Sequence, residues 1–124
     1  MATAQQVRAD DPTGRYLDGT EIQCPGIPQA EATVTQCNRM AYQKADSELN
    51  AVYNQLMQKA DAHEKEYLRD MQLAWIKLKD TQCGLIAYYY RDARSTDKWQ
   101  SRCEATMTIR RVQELRSLGT GISW

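Results

Sequence analysis

The sequence lacks the features that mark three common classes of protein. No apolar run approaches the roughly 18 residues of a membrane-spanning helix, so no membrane span is expected. No glycine-rich loop of the phosphate-binding kind is present. Lysine plus arginine and aspartate plus glutamate each number 16, so the formal net charge is zero. Since proteins that bind nucleic acid are normally basic, this balance argues against a nucleic-acid partner.

Metal ligands and nucleophilic pairs are also scarce. The only histidine is His63, and no cysteine lies in a Cys-x-x-Cys pair, so the usual ligand spacing of a zinc site is missing. No cysteine or serine nucleophile stands at a readable spacing from His63. The acidic residues are too scattered to indicate a catalytic carboxylate pair. We therefore expect no metal, no cofactor and no enzymatic activity.

What the chain does contain is four cysteines: Cys24, Cys37, Cys83 and Cys103. With 124 residues the chain suits a single domain. An even number of cysteines without zinc spacing favours two disulfides, and hence an oxidising compartment, over four buried thiols. Three pairings are possible. We favour Cys24–Cys37 and Cys83–Cys103, because each closes a short loop between neighbouring elements.

The first residues are Met1-Ala2-Thr3-Ala4. Small residues of this kind are typical of a signal-peptidase site, here with an added initiator methionine. Together with the cysteines they indicate a mature protein that is periplasmic or secreted.

The distribution of proline, glycine and apolar residues predicts the organisation of the chain. Residues 1–30 contain all three prolines and three of the six glycines, which predicts an irregular N-terminal arm. Residues 31–118 show apolar residues at spacings of three and four, which predicts three helices. Asp61 is predicted to cap the second helix, with Glu64 completing a capping box, and Gly119 is predicted to end the third, leaving 119–124 as a tail. The fold class expected is all-α: two long antiparallel helices, a third packed on them, an irregular N-terminal arm and two disulfides.

Several polar residues fall on or beside the apolar stripes of these helices. They are Asp46 and Asn50 on the first helix, Gln72 with Trp75 on the second, and Arg110 with the adjacent Arg111 on the third. A buried polar group left without a partner costs about 1–3 kcal/mol, so such residues should be paired. We expect an Asp46–Arg110 pair bridged by the two amides. Such a network can be an acid–base site, but fixing the register of the helices is the favoured interpretation.

Aromatic and basic residues cluster around the junction of the second and third helices. Three consecutive tyrosines on a helix cannot all face one core, so at least one should be exposed. Tyrosine, tryptophan and arginine dominate the energetics of protein interfaces. The candidate partner-binding residues are therefore Tyr88, Tyr89, Tyr90, Arg91, Arg94 and Trp99. The alternative is ordinary packing over the cysteine-rich end of the domain.

Four sequence blocks carry a family resemblance. They are Thr35-Gln36-Cys37, Ala45-Asp46-Ser47-Glu48-Leu49-Asn50-Ala51-Val52-Tyr53, Leu68 with Gln72-Leu73-Ala74-Trp75, Lys79-Asp80 and Cys83, and Cys103 with Thr108, Arg111 and Leu115. Over roughly residues 24–118 the chain resembles the LprI-type lysozyme-inhibitor domain family. One departure is Lys79, where the family usually has arginine before the aspartate. The match leaves open whether Arg110 or Arg111 is the inward arginine of the third helix.

The resemblance implies a small, helical, disulfide-containing, exported bacterial domain. The founding member of the family inhibits host lysozyme, so the expected partner is lysozyme or another peptidoglycan hydrolase. The alternative is a periplasmic interaction or immunity module with a different protein partner. The neutral net charge counts against a C-type lysozyme, because that target is strongly basic and an acidic inhibitor would be steered towards it.

Overall fold

A computed structural model of the chain describes residues 16–17, 20–21 and 31–121. In chain order its elements are two short strands, β1 (Tyr16–Leu17) and β2 (Thr20–Glu21), and three long helices, α1 (Glu31–Lys59), α2 (Ala62–Tyr89) and α3 (Thr96–Gly121). The predicted all-helical class is confirmed, and the helices lie where the periodicity placed them. No helix in the described part of the chain is both long enough and apolar enough to cross a membrane.

The N-terminal arm contains a small β-hairpin where no regular structure was expected. Tyr16 pairs with Glu21 and Leu17 with Thr20 in an antiparallel ladder. In the sequence these strands are separated by Asp18-Gly19, a dipeptide typical of two-residue hairpin turns. The prediction of an irregular arm is therefore wrong for these four residues, because a two-residue Asp-Gly spacing allows the segments on either side of it to pair. The other residues of the arm lie outside the described part of the chain.

The turn between α1 and α2 is fixed by the predicted capping box. The backbone N–H of Glu64 donates to Asp61 Oδ1 at 2.8 Å, and the backbone N–H of Asp61 donates to Glu64 Oε1 at 2.9 Å. The hydrogen bond from the Glu64 N–H lowers the pKa of the Asp61 carboxyl. Two otherwise unsatisfied N–H groups at the helix start are thereby paired, which confirms the predicted boundary.

The helices pack in an order different from the expected one. Asn38 lies beside Ser101 (Nδ2 to Oγ, 3.3 Å) and Glu48 beside Arg116 (Oε2 to Nη2, 3.7 Å), so α1 and α3 run parallel. Helix α2 runs antiparallel to both. The closest packing in the described structure is between α1 and α3. The prediction of an α1–α2 pair with α3 added to it is therefore corrected: α1 and α3 form the intimate pair.

Side-chain size explains this arrangement. The α1–α3 contact is lined by small residues, among them Ala41, Ala45 and Ala105, which allow the two backbones to approach each other. Helix α2 instead presents Leu68 and Trp75 to the core, and these bulky side chains hold its axis further away. The main core cluster joins all three helices and consists of Leu49, Val52, Leu56, Leu68, Trp75, Val112 and Leu115.

The C-terminal end of α3 also departs from the prediction. The helix continues past Leu118 to Gly121, so Gly119 is an interior residue and not the stop. A Cβ added at Gly119 would lie 3.1 Å from Leu56 Cδ2. The absence of a side chain at position 119 thus serves the close approach of α3 to α1. Of the predicted tail, residues 122–124 lie outside the described part.

Candidate functional site

A disulfide closes one end of the bundle. Cys83 near the end of α2 is bonded to Cys103 near the start of α3, which confirms one of the two favoured pairs. The thioether sulfur of Met107 lies 3.8 Å from one of the bonded sulfurs and 3.9 Å from the other. Cys37 is buried and is not a free thiol. Its predicted partner Cys24 lies outside the described residues, so the Cys24–Cys37 pair stays a prediction.

The inward arginine of α3 is Arg111. Its Nε donates a hydrogen bond to Gln72 Oε1 at 3.3 Å, and its Nη1 lies 3.1 Å from Glu114 Oε1. The guanidinium carbon is 5.8 Å from the centroid of the Trp75 ring, and only 11 % of the side chain is exposed. Three of the six residues expected in a polar network are thus together, and they join α2 to α3.

The other three members of the expected network do not join it. Asp46, Asn50 and Arg110 are all exposed, so the expected buried Asp46–Arg110 pair is wrong. Asp46 and Asn50 each follow a core residue of α1, Ala45 and Leu49. One residue along an α-helix turns the side chain by about 100°, which is enough to move it from the core into solvent. The same rotation separates Arg110 from Arg111.

Lys79, where the family pattern has arginine, is a buried link between α2 and α1. Its ammonium donates to the Tyr42 hydroxyl at 2.7 Å and lies over the rings of Tyr42 and Trp75, 5.0 and 5.4 Å from their centroids. Asp80 Oδ1 is 3.7 Å away. Burial alone would lower the pKa of Lys79, but the bond to Tyr42 and the nearby negative charges outweigh it, so the pKa is raised. The ammonium group of Lys79 is therefore held in its charged form beside two aromatic rings.

Two further buried polar residues, Asn38 and Thr108, were not predicted to be part of a polar network. Asn38 is fully buried, and its Nδ2 donates to the Lys98 carbonyl at 3.1 Å and to Ser101 Oγ at 3.3 Å. Thr108, also fully buried, donates to the Glu104 carbonyl at 2.7 Å. Asn38 occupies the stripe of Val34, Ala41 and Ala45, and a polar residue on that stripe was the signal that could have revealed it.

The candidate partner-binding residues lie around the disulfide end and divide into two groups. Tyr88 and Tyr89 are 59 % and 65 % exposed, and Arg91 and Arg94 are exposed as well. The Arg91 guanidinium lies 4.1 Å from the centroid of the Tyr88 ring and donates to the Tyr88 carbonyl at 2.9 Å. These four residues, which we call the loop surface, are available to a partner, and the Arg91 contacts restrain Tyr88.

Tyr90 and Trp99 instead hold the connection between α2 and α3. Their rings are stacked with centroids 5.3 Å apart, and both residues are only partly exposed. Lys98 Nζ lies 4.8 Å from the centroid of the Trp99 ring. Thr96 Oγ1 donates to the carbonyls of Tyr90 and Ala93. The Tyr90–Trp99 stack therefore holds the backbone segment that carries the loop surface.

Residues 16–17, 20–21 and 31–121 contain no group of three or more histidine, cysteine, aspartate or glutamate side chains that could hold a metal ion. His63 is exposed in the first turn of α2. What the described residues do assemble is a disulfide-linked three-helix domain with an inward arginine and an exposed aromatic and basic end.

Comparison with known proteins agrees with that class. The model of the family described as lysozyme inhibitor LprI matches residues 24–115, and the chain belongs to this family. An uncharacterized protein of Rhizobium meliloti (strain 1021) is 30 % identical over 95 residues, covering 66 % of this chain and 68 % of that protein. No solved structure is significantly similar to the chain.

Proposed function

We propose that this protein acts outside the cytoplasm by binding a peptidoglycan hydrolase, with lysozyme as the first candidate, and that it inhibits the hydrolase without catalysing a reaction. The observation that carries the proposal is the match of the lysozyme inhibitor LprI family to residues 24–115. That match spans the whole of α1 and α2 and most of α3, so it includes the disulfide-linked Cys83 and Cys103 and the inward Arg111.

The loop surface is the part of the molecule best suited to contact the hydrolase. Tyrosine and arginine side chains provide large contact areas with both apolar and hydrogen-bonding character. The Cys83–Cys103 disulfide and the Tyr90–Trp99 stack hold the backbone on which these side chains stand. A restrained surface loses less conformational entropy on binding than a mobile one, which favours affinity.

The disulfide also supports a location in an oxidising compartment. Stable disulfides are formed in the periplasm and in secreted proteins and are rare in the cytosol. Cys83 is buried and covered by Met107, as befits a structural bond. We therefore assign the protein to the periplasm or the exterior, where a peptidoglycan hydrolase would be met.

An inhibition assay tests the proposal directly. The oxidised protein is titrated against lysozyme acting on purified peptidoglycan, and turnover is expected to fall at molar excess of the protein. The double variant Tyr88→Ala/Tyr89→Ala should weaken inhibition at least tenfold, because two exposed aromatic contacts are removed. The matched control is Leu73→Ala, an exposed apolar residue of α2 that lies outside the loop surface.

Two results would contradict the proposal. Unchanged turnover at every excess excludes lysozyme as the target. Inhibition that is lost equally in the tyrosine variant and in the Leu73→Ala control excludes the loop surface. Repeating the titration after reduction, with circular dichroism to follow folding, shows whether the disulfide is needed for the contact.

The neutral net charge supports one alternative function, that of an interaction or immunity module for a protein other than lysozyme. A partner without a strong positive charge would not need electrostatic steering. An envelope extract passed over the immobilised wild type and over the Tyr88→Ala/Tyr89→Ala variant distinguishes the two functions. Loop-dependent capture of peptidoglycan hydrolases alone argues against the alternative.

A further inference from the structure

Helix α2 carries a second face that is mostly apolar and lies mostly outside the core of the bundle. It consists of six residues, which we call the outer stripe: Tyr67, Met71, Ala74, Leu78, Thr81 and Leu85. Tyr67 is 77 % exposed, Leu78 55 % and Leu85 48 %. Single exposed apolar residues are common on protein surfaces, but a row along one helix that is apolar at five of six positions is a feature of interaction sites.

The outer stripe is distinct from the face that α2 buries in its own core. That face is formed by Leu68, Gln72, Trp75, Lys79 and Cys83. At about 100° per residue, the centre of the outer stripe lies about a third of a turn around the helix from the centre of the buried face. Met71 lies nearest the boundary and also packs against the main core.

The spacing of the outer stripe indicates the kind of partner. Its members follow one another at intervals of four, three, four, three and four residues. This is the seven-residue repeat by which one helix packs along another in a coiled coil. In that repeat Met71, Leu78 and Leu85 take one core position, and Tyr67, Ala74 and Thr81 take the other. The face therefore suits a long helix.

Two charged residues beside the stripe indicate which helix. Asp70 and Lys77 immediately precede Met71 and Leu78, so both flank the stripe on the same side, seven residues apart. Both are exposed, and neither forms an ion pair with another residue of the described ranges. A face with an acid and a base one repeat apart is complementary to its own copy turned end to end.

We propose that the outer stripe binds the outer stripe of a second copy of this chain in an antiparallel, two-fold symmetric pair. Leu78 then lies opposite Tyr67 of the second copy, and Met71 opposite Ala74. In this register each Asp70 faces Lys77 of the other copy, so the contact has two equivalent ion pairs. A parallel pair would place Asp70 towards the other copy's Trp75, which is buried in its own core.

The two-fold axis makes the contact closed, so the product is a dimer and not a filament. The loop surface lies beyond the paired segment, at both ends of the dimer. The proposal therefore does not depend on the identity of the partner of the loop surface.

Sedimentation equilibrium of the oxidised wild-type chain tests the proposal. Over protein concentrations from about 10 μM to about 1 mM, the mean mass is expected to rise from that of one chain towards that of two. Leu78→Asp should keep the protein monomeric throughout, because it places a charge against Tyr67 of the other copy in both halves of the contact. Leu73→Asp is the matched control: it introduces the same charge at an exposed apolar position of α2 away from the stripe, and dimerisation should persist.

A charge exchange tests the antiparallel register. Asp70→Lys alone sets lysine against Lys77 of the other copy and should weaken the dimer about tenfold at low ionic strength. The double variant Asp70→Lys/Lys77→Asp restores both pairs and should restore dimerisation. The proposal is overturned if the wild type remains monomeric up to about 1 mM. It is also overturned if the Leu78→Asp variant still dimerises, or if Leu73→Asp weakens the dimer as much as Leu78→Asp does. Failure of the double variant to recover overturns the register.

Discussion

Arg111 on α3 donates a hydrogen bond from Nε to Gln72 Oε1 on α2 across 3.3 Å, with the Trp75 ring beside the guanidinium. The contact identifies which of two adjacent arginines enters the bundle. It also shows how α2, which packs less closely than α1 and α3 pack on each other, is held to the rest of the fold. Between α2 and α3, contacts among Arg111, Gln72 and Trp75 take the place of the close backbone packing that small residues allow between α1 and α3.

Arg111→Ala is expected to destabilise the domain by about 2 kcal/mol. The substitution removes a charged hydrogen bond and leaves the Gln72 amide buried without that partner. Arg69→Ala, which removes an arginine at an exposed position of α2, should change stability by about 0.5 kcal/mol or less. Urea unfolding followed by circular dichroism measures both. Equal losses in the two variants would show that the inward orientation of Arg111 contributes nothing.

Replacing both Cys83 and Cys103 by alanine should lower the free energy of unfolding by about 3 kcal/mol. The bond joins residues 20 apart, and closing a loop of that size restricts the unfolded chain by about this amount. The helices themselves are expected to remain, because Trp75, Val112 and Leu115 still hold α2 and α3 together. A variant whose unfolding midpoint in urea matches that of the oxidised wild type would contradict this reading.

Two glycines in the helices, Gly84 and Gly119, should respond differently to alanine. Nothing lies within 4 Å of a Cβ at Gly84, so Gly84→Ala is expected to stabilise by about 1 kcal/mol through helix propensity. At Gly119 the new Cβ would meet Leu56 at 3.1 Å, which offsets that gain, and Gly119→Val should destabilise by about 1–3 kcal/mol. Thermal unfolding of the three variants compares them. A clear stabilisation by Gly119→Val would show that α1 and α3 can move apart.

Glu104 is expected to make the stability pH-dependent. Burial is the main cause that raises the pKa of its carboxyl above the ordinary 4.5. The negative charge of Asp80 also raises this pKa, whereas the positive charges of Lys79 and Arg39 lower it by less than the total increase. The folded protein thus binds this proton more tightly than the unfolded chain, so the stability contributed by Glu104 is greatest below pH 4.5 and is lost as the pH rises through the folded-state pKa. Glu104→Gln should unfold at a higher temperature than wild type at pH 7, and the difference should shrink towards pH 4.5.

The matched control for this prediction is Glu66→Gln, which removes one carboxylate at an exposed position of α2. Its unfolding temperature, measured at the same pH values, reports the general effect of the charge change. An advantage of Glu104→Gln that is the same at every pH would count against the burial of Glu104 as the cause.

Local signals in the sequence were sufficient for the helices but not for their packing. The capping box of Asp61 and Glu64 fixes a boundary because all its atoms lie within one turn. The choice of α1 and α3 as the closest pair depends on Ala41 and Ala105 packing together across the bundle, and the sequence alone does not show that contact. The prediction that Gly119 ends α3 is wrong for the same reason. The sequence alone does not show that Gly119 packs against Leu56, and a glycine near the end of a helix usually terminates it.

The candidate site shows the same division. The exposure of Tyr88 and Tyr89 follows from the geometry of one helix, and three consecutive tyrosines were enough to predict that some are exposed. The pairing of Asp46 with Arg110 failed because each stands one residue from the buried face. Choosing between Arg110 and Arg111 needs the direction in which α3 faces α2, which only the assembled bundle defines.

The parallel pairing of α1 with α3 has a consequence for how the chain folds. Asn38 meets Ser101 across 63 residues, so the tightest contact of the domain is also among its most distant in sequence. The α1–α2 hairpin forms from neighbouring segments, but it leaves Val34, Asn38 and Ala41 exposed until α3 arrives. A chain that ends before α3 should therefore not behave as a smaller stable domain. Docking of the last helix completes the fold, and the transition to the native state is expected to be all-or-none.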